Sequence, residues 1–166
     1  MALIIEGGLD LPLPRMIPVR QTFPDEQIAD IPGEVSRLIR LDGKTSRIRA
    51  GGRIAVAVGS RGIHAIDRIT RTVVDEIRRL GANPFIVPSM GSHGGATAEG
   101  QRKILANFGI TGETMGAPVV SSMETVQVGS LEDGTPVWLD REAAASDGIV
   151  VVNRIKPHTA FVGDYE

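Results

Sequence analysis

Three short polar loops carry the residue types that move protons and bind anions. They are Gly59-Ser60-Arg61-Gly62, Gly91-Ser92-His93-Gly94-Gly95 and Asn153-Arg154-Ile155-Lys156-Pro157-His158. An imidazole gives or takes a proton near neutral pH, and a guanidinium or ammonium holds a carboxylate or phosphate. Histidine is scarce, at 3 residues in 166, yet His93 and His158 both fall in such loops. Pro157 holds Lys156 extended and stiffens the approach to His158, and a ring that transfers protons needs a fixed position. His64 has no comparable setting and reads as a surface residue at a helix start. The chain contains no GxSxG elbow, HExxH pair, GxGxxG turn or GxxxxGK[ST] loop. With 0 cysteines and few histidines, no closed metal site made by this chain alone is expected.

The elements that must position these loops are legible from hydrophobic patterning. Ile54-Ala55-Val56-Ala57-Val58 is a continuous apolar run, the pattern of a parallel strand covered on both faces. A helix follows from about Ala65 to Leu80, with Ile66, Ile69, Val73, Val74, Ile77 and Leu80 on one stripe and Gly81 as its stop. The strand Phe85-Ile86-Val87 comes next. After it, a second helix runs through Leu105 and ends near Gly109, with Thr97 placed to cap it. The stretch 117–139 reads as antiparallel, with Val126–Val128 and Pro136–Leu139 flanking the turn signal Glu132-Asp133-Gly134. A short helix at Arg141–Ala145 precedes the strand Gly148–Val152. Residues 1–50 are less regular. Strands are expected near Leu3–Glu6 and Met16–Gln21, and a helix after Pro32 carries Val35, Leu38, Ile39 and Leu41.

This rhythm predicts an α/β fold: a doubly wound, mostly parallel, Rossmann-like sheet with an inserted β-hairpin. Residues 1–50 are expected to belong to the same domain as the 51–166 core. In a parallel sheet the carboxyl ends of the strands share one edge, where ligands bind. Arg61, His93, Arg154, Lys156 and His158 then gather there with glycine amides and serine hydroxyls. Gly91–Gly95 opens a helix, a setting suited to an anion-binding nest.

That edge is cationic although the net charge is -2, so the natural guest is a small anion. Neither the acidic balance nor the 4% aromatic content suits a nucleic acid partner. No apolar run approaches the length of a membrane span, and Met1–Ile5 lacks the flanks of a signal peptide. Together with the lack of cysteine, this gives a cytoplasmic location as the expectation. The carboxylate pairs Asp25-Glu26 and Glu132-Asp133 fall in turns and read as solvation. Trp138, the only tryptophan, reads as core rather than as an anchor for a partner.

Ser92-His93-Gly94 after one strand and Asn153-Arg154-Ile155-Lys156-Pro157-His158 after another resemble the histidine motifs of the nickel-pincer-dependent lactate racemase family, over roughly residues 50–166. The resemblance implies the N-terminal domain of a racemase or epimerase acting on a small 2-hydroxy acid. Its cofactor would be a nickel pincer nucleotide (nickel-pyridinium bisthiocarboxylic acid mononucleotide), which accepts hydride from the substrate Cα. His93 and His158 would be general acid and base on opposite faces. Arg61, Ser92 and Lys156 would bind substrate, and Gly91, Gly94, Gly95 and Arg154 the cofactor. The wording around Arg61 departs from the family pattern. A cofactor-anchoring lysine and a further histidine are also implied beyond Glu166. The resemblance therefore implies a fragment that lacks its C-terminal domain partner, carries the cofactor only in the full-length enzyme, and is inactive alone. A non-catalytic module for a small anion or nucleotide phosphate is the alternative reading of the same loops.

Overall fold

The computed structural model describes residues 15–24, 26–41, 43–60, 62–155 and 162. Its centre is a parallel sheet of β1 (Arg53–Val58), β2 (Asn83–Pro88) and β5 (Gly148–Val152), in the order β2-β1-β5. The remaining elements are α1 (Ile31–Leu41), α2 (Ile66–Arg79), α3 (Ala98–Asn107), α4 (Gly112–Met115), α5 (Arg141–Ala144), two short 3-10 turns at Lys44–Arg47 and His93–Ala96, and the antiparallel pair β3 (Thr125–Ser130) and β4 (Pro136–Asp140). This is the expected α/β architecture with its inserted hairpin.

The continuous apolar run of β1 is explained by what covers it. Ile54, Val56 and Val58 face one side of the sheet and pack with Val73, Val74 and Ile77 of α2, Leu105 of α3 and Met115 of α4. Ala55 and Ala57 face the other side, with Phe85, Val87 and Ala143 of α5. Helix α2 carries its apolar stripe inward and ends where Gly81 takes φ +80°. There the Gly81 amide bonds back to the Arg78 carbonyl, as the glycine stop requires. Helix α1 starts where Asp30 Oδ1 accepts the Gly33 amide at 3.0 Å, with Pro32 in its first turn. Val35 and Ile39 pack on the core, whereas Leu38 and Leu41 stay exposed.

Several expectations are corrected. Met16–Gln21 forms no strand: Met16, Ile17 and Val19 are exposed, and Pro18 removes a ladder donor from the middle of the segment. Trp138 is 57% exposed rather than core. On β4 it pairs with Gln127 of β3, on the face opposite Leu139, which packs toward the sheet. The stretch 117–139 is not antiparallel throughout. Ile86 donates its amide to the Pro118 carbonyl and accepts the Val120 amide, each at 2.8 Å, so this segment lies parallel beside β2. The expected strand at Leu3–Glu6 lies outside the described residues.

Candidate functional site

The register of the sheet decides which loops meet. Val58 of β1 pairs with Pro88 of β2 on one side and with Val152 of β5 on the other. All three strands therefore stop level, and the loops that follow leave from one edge. The chain passes from β1 outward to β2 and then returns to β5 on the far side of β1, so the strand order reverses beside β1. Such a reversal opens a crevice at the carboxyl ends of the strands.

The loops are in direct contact. Ser60 Oγ, after β1, is hydrogen-bonded to Nδ1 of His93, after β2. Gly59 donates its amide to the Val152 carbonyl at 3.0 Å. A Cβ at Gly59 would lie 2.5 Å from Asn153 Oδ1, so the Asn153 side chain packs closely over this glycine and would have to shift to admit a larger residue. Asn153 Oδ1 also accepts the Arg154 amide at 2.8 Å. The Arg154 guanidinium lies over Gly62, where an added Cβ would meet Nη1 at 2.5 Å. Arg154 is exposed and makes no ion pair among the described residues.

The His93 loop is held from α3. The carbonyl of Gly91 accepts from Nε2 of Gln101 at 2.8 Å, and Gln101 is only 5% exposed. Gly94, Gly95 and Ala96 take φ of +66°, +67° and +53° in succession, a left-handed turn that glycine accommodates at two of its three positions. Thr97 ends the turn and caps α3: its hydroxyl accepts the Gly100 amide at 3.1 Å and donates to the Gly94 carbonyl at 3.0 Å. His93 itself is half-buried, while Ser92 beside it is exposed.

Of the residues singled out in the sequence, His93, Ser92, Gly91, Gly95 and Arg154 are brought to this edge by the level strand ends. Gly94 is there too, but its Cα is packed against the backbone of Gly100 and Gln101. Arg61, Lys156 and His158 lie outside the described residues. The chain neighbours of Arg61 are Ser60 and Gly62, the residues that touch His93 and Arg154. His64 is exposed, as expected of a surface residue. Ser60, Asn153, Gln101 and Gly100 were not singled out individually. A hydroxyl or amide in the two residues after an apolar strand is the signal that finds the first two.

Among the described residues, no group of three histidine or carboxylate side chains stands close enough to hold a metal ion. No described helix is long and apolar enough to cross a membrane. No curated protein and no solved structure matches the chain. A family model does match it: the lactate racemase N-terminal domain, over residues 25–163. That span contains β1, β2, β5 and all three polar loops. The chain belongs to the lactate racemase N-terminal domain family.

Proposed function

We propose that this chain is the hydroxyl-proton-transferring half of a racemase or epimerase for small 2-hydroxy acids. The observation that carries this reading is the meeting of the β1, β2 and β5 loops at one sheet edge. There an imidazole, a hydroxyl and a guanidinium without an ion-pair partner among the described residues stand together. His93 presents a ring anchored through Nδ1, which leaves Nε2 as the atom to exchange the substrate's hydroxyl proton. His158 is assigned the same task from the opposite face of the substrate, and Arg61 and Lys156 the substrate carboxylate.

An anionic nucleotide cofactor fits this edge. Among the described residues nothing lies within 4 Å of the position a Cβ would occupy at Gly91 or Gly95, which leaves a phosphate room to approach that backbone. Arg154 supplies an exposed planar cation. The nickel pincer nucleotide implied by the family would be held by these residues, and when bound it supplies a hydride acceptor. This division of labour suits the substrate. The Cα–H beside a carboxylate is too weakly acidic for imidazole to remove, whereas a hydroxyl proton is within reach of a base near neutral pH. The C-terminal domain of the family is proposed as the partner that closes the site.

The reading is tested by racemising a set of 2-hydroxy acids with the cofactor-loaded enzyme in D2O. Hydride chemistry retains the original hydrogen at Cα, so the inverted product should carry no deuterium there. Deuterium incorporation at Cα would overturn the reading in favour of direct deprotonation. Binding of hydroxy acids without inversion would instead support an anion-binding module.

A further inference from the structure

We propose that Ser60 is a positioning residue that selects the tautomer of His93, an inference that rests on the general acid–base role given to that histidine above. Ser60 Oγ meets Nδ1 of His93, and the hydroxyl makes no other side-chain hydrogen bond among the described residues. Both residues are half-buried, so water competes less for the bond than at a free surface.

The direction of the bond follows from the two states the ring must visit. As a base, His93 needs one bare nitrogen; as the conjugate acid, it carries a proton on each. A hydroxyl that accepts the Nδ1 proton serves both states without rearranging, since Nδ1–H is present in each. A hydroxyl donating to Nδ1 would have to turn around whenever the ring became protonated. Ser60 thus accepts from Nδ1–H, and Nε2 becomes the site of proton exchange.

The backbone supports this assignment. The Gly59 amide is tied to Val152, so Ser60 starts from a point set by the sheet. On the other side, Gln101 holds the Gly91 carbonyl, and the His93 amide bonds to the Met90 carbonyl at 3.3 Å. Ring and hydroxyl therefore approach from two separately anchored loops, which makes Ser60 a link between β1 and the chemistry after β2.

The test is nitrogen NMR of the 166-residue chain labelled at histidine, above the pH at which imidazole titrates, with His93→Gln identifying the signal. His93 is expected as the Nδ1–H tautomer. In Ser60→Ala it should shift toward a mixture or the Nε2–H form, and in Ser60→Thr, which keeps a hydroxyl, it should return. The Nε2–H tautomer in the unsubstituted chain, or a tautomer unchanged in Ser60→Ala, overturns the proposal. In the cofactor-loaded enzyme, Ser60→Ala should lower kcat by roughly 10- to 100-fold with KM little changed, by analogy with the loss of a partner that orients a metal-bound histidine. An unchanged kcat there also overturns it. Full activity in His93→Ala would sink the acid–base reading of the site, a failure separate from the tautomer result.

Discussion

Gly100, in the first turn of α3, lies directly beneath the carbonyl of Gly94 in the His93 loop. A Cβ on Gly100 would overlap that oxygen, and one on Gly94 would meet the Gly100 carbonyl carbon at 2.5 Å. The contact is backbone against backbone, with no flexible side chain to give way. Glycine to alanine within a helix ordinarily stabilises by about 0.5–1 kcal/mol. Here the sign should reverse: Gly100→Ala is expected to cost about 1–3 kcal/mol through forced displacement of the loop. Chemical denaturation of the two chains checks it, and a stabilised variant would refute it.

Thr97 joins the same loop to the same helix through one hydroxyl that both accepts and donates. Thr97→Ala should lose about 1 kcal/mol, the usual cost of an N-cap. Thr97→Ser should lose far less. Equal melting temperatures for the threonine and alanine forms would show that the cap carries no weight.

Far from the site, Glu76 of α2 is 4% exposed and locks α1 in place. Its carboxylate accepts from Arg40 at 2.5 and 3.1 Å and from Arg79 at 2.9 Å. These bonds, Arg40's above all, hold its pKa down to about 2, against an opposing push from burial. A group depressed in the folded state contributes stability that is complete above its unfolded value and fades as pH falls through the folded one. Stability should therefore drop between about pH 4.5 and pH 2, by on the order of 2 kcal/mol from this residue, since both arginines are half exposed to screening solvent. Glu76→Gln should flatten that part of the curve while lowering stability at neutral pH. Parallel acid titrations of folding for the two chains provide the measurement.

Arg154 stands exposed over Gly62 with no acidic partner among the described residues. Its removal should cost little in folding and much in anion affinity. Arg154→Ala is expected to weaken binding of nicotinic acid mononucleotide, used as probe, by about tenfold or more, the worth of a charge-assisted hydrogen bond. Arg154→Lys should recover only part, because an ammonium cannot form a planar two-pronged contact. Calorimetric titration with equal affinities for all three would remove Arg154 from the cofactor site.

The sheet was the most legible part of the fold. Ile54–Val58 and Gly148–Val152 are apolar without alternation, and each is a strand in the structure; β1 is packed on both faces, whereas β5 leaves Ile149 and Val151 exposed on one. The stripe of α2 and the cap of α3 could be read for the same reason: local spacing decides them. Met16–Gln21 misled because β-branched and apolar residues suit a strand only where a neighbour supplies hydrogen bonds, and its own proline works against one. Trp138 misled because burial belongs to the whole fold, and the hairpin holds it away from the sheet. Pro118–Val120 shows the same limit, since its pairing with Ile86 is a matter of tertiary contact. In the site, the loops and their common edge were readable from strand order. That Ser60 would be the residue to meet His93 was not, because it depends on β1 and β2 ending level at Val58 and Pro88.

The level ending of β1, β2 and β5 has a consequence for how such a protein can change over time. The glycines at 94 and 100 are locked by each other's backbone, whereas Ser92 and Arg154, beyond the last paired residues, are exposed. Descendants can exchange those outward groups while inheriting the scaffold beneath intact.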